Sequence, residues 1–322
     1  MELPESLESV PEAPLTGSAV KLEDIKKSYR SGFSRERKAA VEGLSLEVRS
    51  GEIFGLLGPN GAGKTTTLKI LLGIIFPDDG QGTVLGRPLG DRTSYSRLGF
   101  LPEQPYFYGF LTAENGLDLY GKFFGLNKDE RASRSARLLD MVGLRRGSHL
   151  TLDKYSKGML QRFGIAQALI NDPELVIMDE PSSGLDPVGQ KEVRDMLVRL
   201  KEDGKTIFLS SHQLSEVENV CDSVSIVNRG KSVRNGNLSD LLAVEGMTRV
   251  VLRGALAAKD SLSSLVRKIE ESDGDTVLEV NSSDVYRVLD VARELGLELV
   301  SIEPSRRTLE DLFMEAIKEQ GN

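Results

Sequence analysis

The stretch that decides the fold is Gly55–Gly73, GLLGPNGAGKTTTLKILLG. It matches the pattern G-x-x-x-x-G-K-[ST] through Gly58, Gly63, Lys64 and Thr65. The run EIFGLL before it reads as a buried strand, and an apolar-periodic helix follows it. Glycines allow consecutive backbone N–H groups to point at phosphate oxygens, and the helix N-terminus adds its positive dipole end. We therefore predict a nucleotide phosphate site, with the lysine on the β- and γ-phosphates and the threonine hydroxyl on Mg²⁺.

A second strand end supplies two carboxylates. The run PELVIMDEP predicts a buried strand that ends at Asp179 and Glu180. Ligands of open α/β sheets bind outside the carboxyl ends of the strands, so both side chains are expected near the phosphates. Asp179 is the candidate Mg²⁺ ligand, and Glu180 the candidate residue that polarises the attacking water. In isolation such a pair is as often a solvated strand end.

Composition excludes several protein classes. The 322 residues are 39% hydrophobic and 28% charged, with a net charge of -8, which disfavours nucleic acid as a partner. A single cysteine, Cys221, excludes an internal disulfide framework. The longest apolar run, LKILLGIIF, is interrupted by Lys69 and Gly73 and is shorter than the roughly 18 residues of a membrane span.

Short apolar runs alternate with helical patterns, which is typical of an α/β protein. Strands are predicted at VKLEDI, VEGLSLEV, EIFGLL, RLGFLP, LVIMDE, TIFLSS and SVSIVN. A helical block without a clear strand spans Thr112–Asn171 and indicates an inserted subdomain. We expect a disordered acidic tail over 1–18, an ATPase domain over 19–243 with its helical subdomain at about 105–171, and an accessory α+β domain over 244–322.

The predicted domain boundary follows RGKSVRNGNLSDLLAVEG, in which Arg-Gly and Asn-Gly favour turns. Beyond it we predict three strands and three helices. They are the strands TRVVLRG, DTVLEV and LELVSIE, and the helices DSLSSLVRKIEES, SDVYRVLDVARELG and TLEDLFMEAIKE.

Four further features are weak singly and informative in their order along the chain. They are Gln104 after a strand, YSKGMLQR at a helix start, SSGLD directly after the Asp-Glu pair, and His212 after another strand. With the phosphate loop, this order closely resembles the ATP-binding subunit of ABC transporters over roughly Val20 to Asn237. The resemblance implies a P-loop NTPase fold with an antiparallel β subdomain and an inserted helical subdomain.

The resemblance implies ATP and Mg²⁺ as cofactors and assigns roles by position. Tyr29 is similar to the aromatic residue that stacks on adenine. The phosphate loop comprises Gly58, Pro59, Asn60, Gly61, Ala62, Gly63, Lys64, Thr65 and Thr66. Gln104 is similar to the residue that touches Mg²⁺ and the lytic water. Metal contacts fall to Thr65, Gln104 and Asp179, and the catalytic roles to Glu180, His212 and Gln104.

A head-to-tail dimer is also implied, in which Ser156, Gly158 and Asp186 face the ATP held by the partner subunit. Here Tyr155, Lys157 and Met159 replace the Leu, first Gly and Gln of the commonest family form, and Ser156 and Gly158 retain the hydroxyl and the close approach. This variant and the ending LEDLF resemble a branch that exports drugs, sodium, antibiotics and cell-surface glycans or lipids.

The resemblance further implies a separate transmembrane permease subunit, a homodimer or heterodimer of ATPase subunits, and a peripheral position on the cytoplasmic face of the inner membrane. The basic cluster Arg35, Arg37 and Lys38 reads as a solvated loop. Three alternatives stay open: a non-transport ABC ATPase acting on ribosomes or DNA, a P-loop kinase or GTPase, and a catalytically silent subunit. The absence of an Asn-Lys-x-Asp guanine signal disfavours the GTPase.

Overall fold

The computed structural model describes residues 17–30, 37–254, 262–263, 265–272 and 274–319, so the predicted tail lies almost entirely outside the described residues. The chain divides into two compact units after Asn237. We expected the division six residues later, at 243/244. The difference arises because helix α7 (Leu238–Leu242) binds within the second unit, where Arg307 donates hydrogen bonds to the Leu241 carbonyl.

A six-stranded sheet forms the centre of the first unit, in the order β10-β9-β3-β8-β7-β6. Its strands are β3 (Ile53–Leu57), β6 (Leu98–Leu101), β7 (Leu175–Asp179), β8 (Thr206–Ser211), β9 (Ser223–Asn228) and β10 (Lys231–Asn237). All pair in parallel except β10, which is antiparallel to β9. Every residue of β3, β7, β8 and β9 is buried, as continuous apolar runs predict.

Three helices accompany this sheet: α1 (Lys64–Leu71), α5 (Pro187–Glu202) and α6 (Leu214–Val220). Helix α5 begins with Asp186 as N-cap and proline at its first position, a preferred start because proline lacks the N–H that would go unpaired. Helix α1 leaves the phosphate loop directly, so its N-terminus points at the carboxyl edge of β3.

A four-stranded antiparallel sheet, β2-β1-β4-β5, completes the core of the first unit. Its strands are β1 (Ser18–Arg30), β2 (Arg37–Arg49), β4 (Asp79–Val84) and β5 (Arg87–Pro88). The sequence indicated neither β4 nor β5, because both are short and polar. The loop assignment of Arg37 and Lys38 was wrong: they begin β2, opposite Arg30 and Tyr29. Arg35 lies outside the described residues.

The helical block contains α2 (Ala113–Phe123), α3 (Lys128–Met141) and α4 (Lys157–Ala168). Each has a side-chain N-cap. Thr112 accepts from Asn115 N–H, Asn127 and Glu130 form a reciprocal capping box, and Ser156 accepts from Met159 N–H. Between α3 and α4 the described chain makes short 3₁₀ turns and a single β-bridge, between Thr112 and Thr151.

The second unit contains an antiparallel sheet in the order β12-β13-β11-β14. Its strands are β11 (Ala243–Arg253), β12 (Val266–Ser272), β13 (Asp275–Asn281) and β14 (Glu298–Arg306), and its longer helices are α8 (Val285–Glu294) and α9 (Leu309–Glu319). One prediction was wrong. The segment DSLSSLVRKIEES, part of which lies outside the described residues, ends in strand β12 rather than a helix.

Turn-forming dipeptides had different outcomes in β12 and in β10. Leu262, Leu265 and Ile269 have helical spacing, but the Asp-Gly pair that follows favours a hairpin, and Gly274 adopts φ 84° between the paired ends of β12 and β13. The turn predicted at Arg229-Gly230 joins β9 to β10. The Asn-Gly pair at 235–236 instead lies inside β10.

Candidate nucleotide site

The phosphate loop connects β3 to α1 and is held by close backbone approaches. A Cβ atom on Gly58 would lie 2.3 Å from the Val227 carbonyl oxygen, and one on Gly63 would lie 2.4 Å from that of Ala40. Gly63 also has φ 110°, a conformation that side chains disfavour. Both positions therefore require glycine, and the loop is clamped between β9 and β2 before any ligand binds.

Lys64 lies inside this loop rather than in solvent. Its ammonium donates to the Gly58 carbonyl oxygen at 2.6 Å and lies 3.7 Å from Glu180 Oε1. Both side chains are 8% exposed. A buried ammonium is stable only with such partners, so the lysine is already oriented across the mouth of the loop.

The two carboxylates at the end of β7 have different partners. Asp179 accepts a hydrogen bond from the Ser210 hydroxyl on the neighbouring strand β8. Glu180 has φ 51°, an uncommon conformation for a residue with a side chain, and its N–H donates to the Ser210 carbonyl oxygen at 3.1 Å. The turn in the backbone at Glu180 directs its side chain differently from that of Asp179, so the two carboxylates can serve different roles.

Glu180 is paired with His212, which follows β8. The distance from His212 Nδ1 to Glu180 Oε2 is 2.8 Å, and the His212 backbone N–H also lies 3.4 Å from that oxygen. The imidazole is 49% exposed, while the carboxylate is buried. The histidine therefore orients Glu180 from the side of the cavity that is open to solvent.

These groups line one cavity of about 370 Å³, which we call the phosphate-loop cavity. Its lining comprises Tyr29, Ala40, Pro59, Asn60, Gly61, Gly63, Lys64, Thr65, Thr66, Glu103, Asp179, Glu180 and His212. Residues from six separated segments thus converge, as expected for a site at the carboxyl edge of a parallel sheet. Tyr29 is 43% exposed and lies at one side, where its ring has an accessible face.

Glu103 lines the phosphate-loop cavity, whereas Gln104 is not part of its lining, and both side chains are exposed. The role of Gln104 at Mg²⁺ and the lytic water stays a prediction. Both residues follow β6 in a short irregular segment. The sequence alone cannot distinguish two adjacent polar residues there, because no strand or helix periodicity fixes which side chain points inward.

Three other predicted residues lie in a different cavity. They are Ser156, Gly158 and Asp186, and they line a space of about 380 Å³, which we call the Ser156 cavity. The other lining residues are Lys157, Arg162, Gly184, Leu185, Val188, Gly189 and Glu192. Here the start of α4 meets the start of α5. The caps are formed: Met159 N–H donates to Ser156 Oγ at 3.2 Å, and Gly189 N–H donates to Asp186 Oδ1 at 2.8 Å. No residue lines both cavities within the described parts of the chain.

A carboxyl that the sequence did not reveal lies behind Glu180 and His212. Glu216 on α6 lines a cavity of about 200 Å³ with Ser182 and Arg194. Burial raises the pKa of Glu216, although a hydrogen bond from the Ser182 side chain opposes the shift. Ser182 is two residues beyond Glu180 in sequence, so this contact supports the backbone segment that carries Glu180. Ser210, whose hydroxyl donates to Asp179, was also missed, because its only signal in the sequence was its position two residues before His212.

The residues present suit a magnesium nucleotide. Thr65 and Asp179 line the phosphate-loop cavity and offer the oxygen ligands that Mg²⁺ prefers. Within the described residues no three His, Cys, Asp or Glu side chains could hold a metal ion together. A bound Mg²⁺ would therefore need phosphate oxygens to complete its ligands.

Comparisons with known proteins show the family to which the chain belongs. A family model described as ABC transporter matches residues 41–183. The chain is 44% identical to an uncharacterised ABC transporter ATP-binding protein of Synechocystis sp., with 96% of this chain and 87% of that protein covered. It is 35% identical to the bacitracin transport ATP-binding protein of Bacillus licheniformis, with coverages of 92% and 97%.

A solved structure extends the comparison to the fold. The dimeric post-hydrolysis state of an ATP-binding cassette, bound to ADP and phosphate, matches with a TM-score of 0.62 and 27% identity. The match covers 68% of this chain and 98% of that one.

Proposed function

Because this chain belongs to the family of ABC transporter ATP-binding proteins, we propose that it hydrolyses ATP as a head-to-tail dimer and thereby drives export through a separate transmembrane subunit. The ATPase activity is that of the family. The observation that carries the proposal of a dimer is the separation of the predicted residues between the phosphate-loop cavity and the Ser156 cavity.

Within one subunit the phosphate-loop cavity binds and activates the nucleotide. Lys64 exchanges its contact with Glu180 for the terminal phosphates, and Tyr29 stacks on the base. Thr65 and Asp179 would hold Mg²⁺, which would supply neutralisation of the phosphate charge. Glu180, oriented by His212, takes a proton from the attacking water and so acts as the general base.

The Ser156 cavity supplies the other half of the composite site. It has two capped helix starts and a lysine but no phosphate loop, and this is a suitable surface for phosphate oxygens brought by a partner subunit. In this arrangement the γ-phosphate joins the two subunits. Release of the γ-phosphate weakens the interface, and hydrolysis therefore leads to opening of the dimer.

The permease is proposed to dock on the helical subdomain and the adjoining sheet edge. Large aromatic side chains are exposed there: Tyr106 (88%), Phe110 (76%) and Phe123 (72%). Close to them in sequence, Tyr95, Phe124 and neighbouring residues line a cavity of about 360 Å³. Exposed apolar surface of this kind indicates a protein contact.

In the described residues no helix is both long and apolar enough to cross a bilayer. On the ground of this permease contact we propose a peripheral position at the cytoplasmic face of the inner membrane.

Export as the direction of transport rests on the signature variant YSKGM, and the relative named for bacitracin transport supports transport itself. The alternative of a non-transport ABC ATPase acting on ribosomes or DNA receives no support from the relatives, which are named as transporter subunits. The net charge of -8 also disfavours it.

The proposal is tested with Glu180→Gln in the full-length chain. We expect ATP turnover to fall by about 10²–10⁴-fold, because the general base is lost, while ATP binding persists and ATP-dependent dimers accumulate. Turnover is measured by phosphate release, and dimerisation by size-exclusion chromatography with light scattering. The exposed residue Glu202 at the end of α5 provides the matched control, Glu202→Gln, which should behave as wild type. Unchanged turnover in Glu180→Gln would remove Glu180 from the catalytic role.

A further inference from the structure

The backbone turns sharply at the proposed general base, and specific hydrogen bonds hold the turn. The Glu180 N–H donates to the Ser210 carbonyl oxygen at 3.1 Å, and the Ser183 N–H donates to the Glu180 carbonyl oxygen at 3.1 Å. Between them Pro181 has no N–H to contribute. Glu180 has φ 51°, a conformation that a residue with a side chain keeps only where its surroundings hold it. The direction of this carboxylate therefore depends on what fixes the turn.

A buried amide on α4 provides a further bond to this turn. The Gln161 side chain is on a residue that is 4% exposed, and its Nε2 donates to the Pro181 carbonyl oxygen at 2.8 Å. Pro181 directly follows Glu180 in the chain. Removing a buried donor leaves its acceptor without a partner, which is unfavourable, so the bond constrains both groups. Helix α4 thus holds the backbone one residue away from the proposed general base.

The same helix also lies against the far end of this segment, residues 180–185. The Lys157 ammonium lies beside Gly184, where an added Cβ would be 1.9 Å from it. An added Cβ on Gly158 would be 3.7 Å from Leu185 Cδ2. The segment therefore follows the first turns of α4. Of these three contacts, the one made by the glutamine is the buried hydrogen bond, and it lies nearest to the strained residue.

We propose that Gln161 is a positioning residue for Glu180. His212 contacts the carboxylate from the open side of the phosphate-loop cavity, at 2.8 Å, and Gln161 fixes the backbone from the buried side. Gln161 is not among the described residues that line the phosphate-loop cavity or the Ser156 cavity, so it acts on the rate of hydrolysis rather than on ATP binding. The inference rests on the role of Glu180 in the proposed function and adds a residue that sets its direction.

The first test compares Gln161→Leu and Gln161→Asn with wild type in the full-length chain. Leucine has a similar volume and no donor, and asparagine keeps the amide but is one methylene too short to reach Pro181. We expect kcat to fall by about 10–100-fold in both, because a small displacement of a catalytic group has effects of this size. The affinity for a non-hydrolysable ATP analogue, measured by calorimetry, should stay within about twofold of wild type.

Thr206→Val is the matched control for the loss of a buried hydrogen bond. Thr206 begins β8 at the opposite edge of the sheet, is 3% exposed, and accepts from the Gly51 N–H at 2.9 Å. This variant should lower the thermal unfolding midpoint, as the Gln161 variants do, and keep the kcat of wild type. An equal loss of kcat in Thr206→Val would mean that destabilisation alone slows hydrolysis, and the inference would be overturned.

The second test asks whether Gln161 acts through Glu180. The variants of Gln161 are combined with Glu180→Gln, and the residual hydrolysis is measured as single-turnover phosphate release. Because the general base is already absent, we expect no further loss of rate in the double variants. The same fractional loss in both backgrounds would show that Gln161 does not act through Glu180.

The two levels of the account fail separately in these experiments. Wild-type kcat in either folded variant of Gln161 overturns the inference and leaves the proposed function unchanged. If Gln161→Leu does not fold, Gln161→Asn decides. Unchanged turnover in Glu180→Gln itself would remove the general base, and the role of Gln161 would be lost with it.

Discussion

The phosphate-loop cavity and the Ser156 cavity have nearly the same size, about 370 and 380 Å³, but differ in how their charges are satisfied. In the first, Lys64 and Glu180 are buried and partnered within the chain. In the second, Lys157 is exposed, and the structure gives it no ion pair within the described residues. Its ammonium rests on Gly184, where an added Cβ would lie 1.9 Å away.

Lys157 is also at the less favourable end of its helix. It occupies the first position of α4, where the helix dipole disfavours a cation by about 0.3–1 kcal/mol at exposed sites. In the same cavity Arg162 and Glu192 pair with each other at 3.2 Å, so Lys157 is the cation among the described lining residues that remains available to an anion from elsewhere. This difference supports the proposal that an anion brought by a partner subunit completes the Ser156 cavity.

The largest effect on ATP affinity is expected when Lys64 is replaced in the phosphate-loop cavity. Lys64→Ala should lower ATP affinity by about a hundredfold, because a buried charge-assisted contact to phosphate is lost, and dimerisation and turnover should fail with it. Lys69, exposed on the same helix, gives the matched control Lys69→Ala. Calorimetry with ATP and Mg²⁺ measures the difference. Equal affinities for the two variants would contradict the role of Lys64.

A substitution in the Ser156 cavity should lower dimerisation and turnover but not the ATP affinity of the isolated chain. Ser156→Arg places a large side chain at the proposed interface, so ATP-dependent dimerisation and turnover should be lost, turnover by about a hundredfold. ATP affinity of the isolated chain should stay within about twofold of wild type. Ser133→Arg, on the exposed face of α3, is the control for an added arginine. A collapse of nucleotide affinity in Ser156→Arg alone would mean that the two cavities are not separate.

A smaller effect on ATP affinity is expected when the Tyr29 ring at the side of the phosphate-loop cavity is removed. Tyr29→Ala should weaken ATP binding by about tenfold, the scale of one aromatic–base stacking contact, and Tyr29→Phe should retain it. Binding of inorganic triphosphate, which has no base, should be equal in wild type and both variants. If Tyr29→Ala weakens triphosphate binding as much as ATP binding, the ring supports the fold of the loop and does not stack on the base.

The sequence predicted the parallel sheet well, because its strands are continuous buried runs. TIFLSS and SVSIVN coincide with β8 and β9 residue for residue. The polar strands β4 and β5 could not be found this way, since their pairing partners and not their own composition make them strands. In β12, helical spacing and a hairpin signal competed, and pairing with β13 decided the outcome.

The candidate site was predictable to the level of the segment and not always of the side chain. Lys64, Asp179, Glu180 and His212 follow strand ends whose positions the pattern fixes, and they do converge. Glu103 and Gln104 lie in an irregular segment, where no strand or helix pattern fixes which side chain faces the site. Glu216 is on a helix and gave no motif, because its effect on the site passes through Ser182.

The central claim is that each ATP site is composed of two subunits, and mixing two inactive variants tests it most directly. Lys64→Ala and Ser156→Arg are each expected to be inactive alone, but a mixed dimer contains one composite site with both residues intact. Because neither variant is expected to dimerise with itself, an equimolar mixture should form only mixed dimers, and one intact site of two predicts recovery to about half of wild-type turnover. A mixture that remains as inactive as either variant alone would contradict it.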